Sequence, residues 1–167
     1  MKNFIFFAII VLVSCKGQNN LQPEDRQNDS TQQSSFPTGY DSLYAQALGA
    51  DEYGMKTFVM ALLSEGENQD LDSLEKIDLQ RGHMDNINRL AEEGKLVLAG
   101  PFYNNPNSNL SGIYIFNVTT IAEAEELTMT DPAIQQGALK MELLLWYGSA
   151  ALLEINDIHS KIAKENP

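Results

Sequence analysis

The chain alternates between apolar runs of strand length and amphipathic runs of helix length. Residues 56–63 form a continuous apolar run, which predicts a first strand buried on both faces. Residues 96–102 and 112–118 are two further strands, and the short Asn-rich loop between them favours an antiparallel pair. Residues 139–147 alternate between apolar and polar side chains and predict a fourth strand. The alternating apolar positions are Leu139, Met141, Leu143 and Leu145.

Two capping boxes mark the starts of the main helices. Asp72 with Glu75 opens a helix that ends near Gly94. The same spacing recurs at Thr120 and Glu123, which predicts the start of a second helix. The inward stripe of the first helix is predicted at Leu74, Ile77, Met84, Ile87 and Ala91.

Shorter helical patterns lie before, between and after these elements. Residues 40–48 have helical apolar spacing and predict a short helix on the outside of the domain. Asp131 as cap, Pro132 at the first helical position and Gly137 as stop predict one more turn of helix. Residues 150–162 carry a final amphipathic pattern.

The order of elements is β-α-β-β-α-β with extra N- and C-terminal helices. This order predicts an α+β, ferredoxin-like fold, in which both main helices cover one face of a four-stranded antiparallel sheet. Apolar residues occur on both faces of the first, third and fourth strands. We therefore expect a second copy of the chain to cover the other face, which predicts a homodimer.

The N-terminus has the pattern of an export signal. Residues 4–13 are apolar after the basic Lys2, and this run is too short to span a bilayer comfortably. The sequence Leu-Val-Ser directly before Cys15, the sole cysteine, resembles a bacterial lipobox. We predict a signal peptide at residues 1–14 and lipid attachment to Cys15, hence a membrane-anchored lipoprotein of the bacterial cell envelope, periplasmic or surface-facing. The alternative is a simple secretory peptide with an incidental cysteine.

Residues 15–39 are rich in Gln, Asn, Ser and Asp, which predicts a disordered tether between lipid and domain. The formal charge of −12 becomes −13 when Lys2 leaves with the signal peptide. Such acidity argues against binding to nucleic acid and against docking of the folded part on anionic lipid.

The candidate chemistry begins with His83, one of two histidines. It falls on the flank of the apolar stripe near Ile87 and Leu90, and an imidazole can move a proton near neutral pH. The alternative is a half-buried helix residue with a satisfied nitrogen, and Asp131 is equally well explained as an ordinary helix cap. No serine or cysteine nucleophile is evident beside them, and neither a metal site nor a cofactor motif is expected.

Other candidates have simpler explanations. Arg81 is predicted to make a surface ion pair, and His159 is predicted to lie on the surface. Four aromatic residues could line a pocket for a flat ligand, although aromatics in strands more often lie in a core or an interface. They are Tyr103, Tyr114, Trp146 and Tyr147.

Several of these features, in this order, resemble the YCII-related domain. They are the apolar first strand at 57–63, His83 with the segment 90–101 that follows it, Gly112 in the third strand, and Asp131-Pro132 ahead of the last strand. The resemblance covers residues 53–147. It implies a dimeric α+β barrel related to proteins of the muconolactone-isomerase type, with an active site of one histidine and one aspartate.

Carried onto this sequence, that pair falls on His83 and Asp131. A related branch includes a dehydrochlorinase acting on a chlorinated hydroxyhydroquinone, so the resemblance implies lyase or isomerase chemistry without a cofactor on a small cyclic or aromatic molecule. The alternative is a non-catalytic module of the envelope that binds a small ligand or a protein.

The predicted organisation of the chain is a signal peptide at 1–14, a tether at 15–39, a flanking helix at 40–52, a YCII-like domain at 53–148 and a C-terminal helix at 149–167.

Overall fold

The computed structural model describes residues 39–103 and 106–165, so the predicted signal peptide, Cys15 and nearly all of the tether lie outside the described residues. The strands are β1 (Met55–Glu65), β2 (Leu96–Pro101), β3 (Leu110–Phe116) and β4 (Leu139–Ser149). The helices are α1 (Ser42–Ala47), α2 (Ser73–Glu92), α3 (Ile121–Thr128), α4 (Pro132–Gln135) and α5 (Ile155–Ile162), and a 3₁₀ helix, Ala150–Glu154, precedes α5.

The four strands form one antiparallel sheet in the order β2-β3-β1-β4. This is the strand order of the ferredoxin-like fold, and the α+β prediction is confirmed. The capping box at Asp72 forms as its spacing predicts: the Asp72 side chain accepts from the backbone of Glu75, and the Glu75 side chain accepts from the backbone of Asp72. Gly94 ends the turn after α2 with a φ of 68°, a conformation that favours glycine.

The main core lies between the sheet and the helices. It is built from alternate residues of β1 and β3, together with Leu90 of α2 and Ala124 of α3. Ala61 pairs with Tyr114 across β1 and β3, and both are buried on this face. Tyr114 is thereby directed towards α2, which carries His83.

The predicted inward stripe of α2 is wrong at its first two positions. Leu74 is 74% exposed and Ile77 is 61% exposed, and the buried apolar residues of the helix are Leu79 and Leu90. Lys76, Leu79 and Gln80 of the first half of α2 line a cavity, and Leu74 and Ile77 are not part of that lining. On β4, Leu139, Met141 and Leu143 pack against the core, whereas Leu145 is exposed.

The second face of the sheet is partly covered by the chain itself. Phe58, Val97 and Ile115 are buried there, and Leu152 and Leu153 of the C-terminal 3₁₀ helix pack against them. Asn156 of α5 donates to the carbonyl oxygen of Leu96 at 3.1 Å, which ties this segment to β2. The predicted homodimer stays a prediction, and the C-terminal segment occupies part of the face that it would use.

Candidate active site

Asp131 is held in place by the start of α4. Its Oδ1 accepts from the backbone N–H of Ala133 at 2.9 Å, as expected for a helix cap followed by proline at the first helical position. The preceding residue, Thr130, donates to Asn86 of α2 at 2.8 Å, which fixes the loop against the helix. The Asp131 side chain is fully buried. A buried carboxylate is stable only with polar partners, and one oxygen remains for a second partner.

His83 supplies that second partner. Its Nδ1 lies 2.6 Å from Asp131 Oδ2, although 48 residues separate the two in sequence. The His83 side chain is 12% exposed, at the border of the core where the helical pattern predicts it. The structure therefore brings together the two residues predicted to form the site. In this arrangement the carboxylate accepts from Nδ1 and so fixes the imidazole tautomer with the proton on that nitrogen.

Close packing of α2 and α4 makes this contact possible. Gly82 precedes His83 and lies directly against Pro132, which follows Asp131. A Cβ added to Gly82 would lie 2.7 Å from Pro132 Cγ, which is too close for an ordinary contact. Glycine inside a helix is destabilising compared with alanine, so a glycine at this position is a sequence indication that another element approaches closely.

Tyr114 of β3 completes the contacts of the imidazole. Its hydroxyl oxygen lies 3.2 Å from His83 Nε2, so both ring nitrogens of His83 have partners in the protein. Burial, with the nearby negative charge of Asp131, raises the pKa of Tyr114 far above its usual value. The phenol is therefore neutral and able to donate. The sequence suggested Tyr114 only as a possible pocket wall, because nothing local shows which helix residue a strand residue faces.

The site opens into a largely apolar cavity of about 550 Å³. Four polar side chains contribute to its wall: Gln80, His83, Ser111 and Tyr114. The rest is formed by Leu63, Met84, Ile87, Ala99, Gly100, Pro101, Gly112 and Leu139. A second cavity of about 320 Å³ shares Gln80, His83, Ser111 and Leu139 with the first. His83 thus lies on the wall of both cavities, in reach of a small apolar molecule bound in either.

Other predicted candidates lie elsewhere. Tyr103 is 99% exposed, Trp146 packs on the second face of the sheet, and the Tyr147 hydroxyl donates to Asp51. Arg81 pairs with Asp78 on the surface of α2, as expected, and His159 is exposed.

Neither a metal-binding cluster nor a membrane-spanning helix occurs among the described residues. Within residues 39–103 and 106–165, no group of three His, Cys, Asp or Glu residues is arranged to hold a metal ion. No helix in the same ranges is long and apolar enough to cross a bilayer.

Comparison with known proteins places the fold in context. The family model of the YCII-related domain matches residues 57–146, which is more than half of the chain. No curated protein matches the chain significantly. Among solved structures, the chain is similar to 5-chloro-2-hydroxyhydroquinone dehydrochlorinase from Burkholderia phenoliruptrix AC1100, solved in complex with 2,5-dihydroxybenzoquinone. The two are 16% identical, the match covers 53% of this chain and 92% of the other, and the TM-score is 0.40.

Proposed function

Because the chain belongs to the YCII-related domain family, we propose that it is an enzyme of that family in which His83 and Asp131 carry out acid-base chemistry. The substrate is a small, cyclic or aromatic organic molecule, and the reaction is of the lyase or isomerase type. The protein acts while anchored to the cell envelope through lipid on Cys15. No cofactor takes part in the proposed step.

The observation that carries the proposal is the buried 2.6 Å contact between His83 Nδ1 and Asp131 on the wall of the 550 Å³ cavity. A base in an apolar cavity is effective when its protonated form is stabilised without solvent. Asp131 gives that stabilisation, because the Ala133 amide already fixes the orientation of its carboxylate. No reorganisation is then needed when the imidazole gains a proton.

The contacts of His83 also favour one class of reaction. Ser111 lines the cavity, but both nitrogens of His83 are engaged, by Asp131 and Tyr114. Among the described residues no hydrogen bond joins Ser111 to His83, so the nucleophile–base contact that acyl transfer requires is not formed. Proton abstraction next to an electron-withdrawing group, followed by elimination or isomerisation, needs only the acid-base pair.

The predicted anchor can be tested independently of the chemistry. Cys15 lies outside the described residues, and its lipidation is proposed from the sequence motif alone. Cys15→Ser should abolish incorporation of labelled fatty acid and release the protein from the membrane fraction, because two or more acyl chains are needed for stable attachment. Incorporation that persists in the variant would contradict the lipid-anchor proposal.

The catalytic proposal can be tested with a general probe for proton abstraction from carbon. A nitrobenzisoxazole is a flat aromatic molecule that opens to a coloured phenolate when a base removes its carbon-bound proton. We expect the full chain, purified in detergent, to accelerate this reaction, and His83→Gln to lose about 10²–10⁴-fold in kcat/KM. His159→Gln removes the other, exposed histidine and should have no effect.

A second function remains open because the cavity wall is largely apolar and would hold a small ligand without chemistry. Crystals of the protein soaked with small phenols and lactones would distinguish the two functions. Ligand density next to His83, together with equal and low probe turnover in the wild type and His83→Gln, would identify a binding module and contradict the enzyme proposal.

A further inference from the structure

The hydrogen bonds of His83 leave its basic nitrogen covered by protein. Nδ1 faces Asp131 and is not available to a ligand. Nε2, the nitrogen that would act as a base, faces the hydroxyl oxygen of Tyr114 at 3.2 Å. A molecule in the cavity can thus exchange a proton with Nε2 only by displacing Tyr114 or by acting through it.

The directions of these hydrogen bonds follow from the charges. A carboxylate can only accept, so we assign the proton of the neutral imidazole to Nδ1. Nε2 then carries a lone pair, and the neutral phenol of Tyr114 donates to it. The chain of donors runs from the Tyr114 hydroxyl through the His83 ring to Asp131, and Tyr114 also lines the cavity.

The surroundings of Tyr114 make displacement unfavourable. The ring packs edge-on against Phe116, with centroids 5.8 Å apart, and the residue is 3% exposed on a central strand. Moving the hydroxyl away would leave a buried polar group without its partner, which costs about 1–3 kcal/mol. Proton transfer through the Tyr114 hydroxyl requires no such movement.

We propose that Tyr114 is a catalytic residue that carries the proton between the bound molecule and His83. The inference rests on the proposed function and adds the group that touches the substrate. In the forward step the C–H bond of the substrate breaks and its proton joins the Tyr114 oxygen, while the proton already on that oxygen passes to His83 Nε2. The electron pair left on the substrate moves into the neighbouring bond, which expels a leaving group or forms an enolate.

The step conserves protons and charge. Tyr114 begins and ends as a phenol, the imidazole becomes an imidazolium paired with Asp131, and the product carries the negative charge until it is protonated. The reverse transfer, from Nε2 through Tyr114, returns a proton to the product or its leaving group. Concerted transfer agrees with the raised pKa of Tyr114, because a free tyrosinate never has to form.

The solvent isotope effect on the benzisoxazole reaction distinguishes the relay from direct abstraction. The proton on the substrate carbon does not exchange with water, whereas the Tyr114 hydroxyl does. In the relay an exchangeable proton moves in the rate-determining step, so kcat of the wild type should be lower in heavy water. Direct abstraction by Nε2 moves no exchangeable proton and should give equal rates in the two solvents.

The matched variants are Tyr114→Phe and Tyr147→Phe. Both remove a hydroxyl that interacts with an ionisable side chain, but Tyr147 bonds Asp51 and does not line the two cavities described. We expect Tyr114→Phe to lose about 10²-fold or more in kcat with KM little changed, and to lose the solvent isotope effect. Tyr147→Phe should retain both the rate and the isotope effect.

The outcomes separate the two proposals. Turnover that depends on His83, with equal rates in water and heavy water or with Tyr114→Phe as fast as the wild type, would overturn the relay and leave the acid-base function standing. Turnover that does not depend on His83 would overturn both. The isotope effect is measured on the wild type, so a folding defect in Tyr114→Phe does not prevent a decision.

Discussion

Asp131 has two structural tasks that a single carboxylate can perform together. One oxygen caps α4 through the Ala133 amide, and the other binds His83 Nδ1. The cap fixes the carboxylate independently of any proton transfer, so the same interaction that starts the helix also positions the partner of the proposed base. The ordinary explanation of Asp131 as a cap and the catalytic one are therefore compatible.

Two substitutions separate these tasks. Asparagine caps helices about as well as aspartate, so Asp131→Asn should retain most of the stability but lose about 10²-fold or more in probe turnover, because the charge that stabilises the imidazolium is gone. Asp131→Ala should in addition lower the free energy of unfolding, by about 1 kcal/mol for the cap. Urea unfolding and kinetics on both variants test this, and wild-type turnover by Asp131→Asn would contradict it.

Tyr114 gives a pH dependence of stability at the alkaline end. Its pKa is raised in the folded state, so the phenol contributes stability that is fully present below the unfolded value of about 10 and is lost as pH rises above it. We expect the free energy of unfolding to fall less in Tyr114→Phe than in the wild type when the pH is raised from neutral to strongly alkaline. Urea midpoints at the two pH values test this, and equal losses would show that Tyr114 does not titrate with unfolding.

At the scale of elements, the site depends on how closely α2 and α4 approach. Gly82 lies against Pro132, and the residues next to them in sequence are His83 and Asp131. The hydrogen bond from Thr130 to Asn86 holds the same two elements together. The geometry of the proposed catalytic pair is thus set by the packing of one short helix on one long helix.

Gly82→Ala tests this directly. Alanine is the better helix former by about 1 kcal/mol, but its Cβ would force Pro132, and with it Asp131, away from α2. We expect lower probe turnover and no gain in thermal stability. Asn88→Ala, at an exposed position on the same helix, is the control and should be slightly stabilised and fully active. A Gly82→Ala protein that is both more stable and as active as the wild type would rule out the close approach.

At the scale of the whole molecule, the second face of the sheet still has apolar surface beyond the C-terminal segment. Met60, Leu98 and Ile113 are half-buried there, and Leu144, paired with Met60 across β1 and β4, is 42% exposed. A dimer through this face would bury Leu144. It would also leave the cavity of each copy on the opposite, helix-covered side of its sheet.

We therefore predict that the protein is a dimer in light scattering and that Leu144→Glu makes it a monomer, because an unpaired buried charge is strongly unfavourable. Leu74→Glu alters a leucine that is exposed on α2, away from the sheet, and should leave the dimer intact. A monomeric wild type, or a Leu144→Glu variant that remains dimeric, would show that this face is not the interface.

Much of the fold and half of the site could be predicted from local sequence. Several local features depend on spacing within a few residues, and backbone hydrogen bonding makes such spacing decisive. They are the strand runs, the capping box at Asp72, the N-cap at Thr120, the turn at Gly94 and the Asp131 cap. The position of His83 at the border of the core follows from helical period for the same reason.

The tertiary structure decided what those residues contact. Periodicity along one element contains no information about the neighbouring element. The packing of elements therefore decided three things: the exposure of Leu74 and Ile77, the contact of Gly82 with Pro132, and the contact of Tyr114 with His83 Nε2. The sequence by itself thus determined the elements and their order, and its resemblance to the YCII-related domain pointed to the two residues of the proposed pair. Packing decided that the pair meets at 2.6 Å and that a buried phenol covers the imidazole.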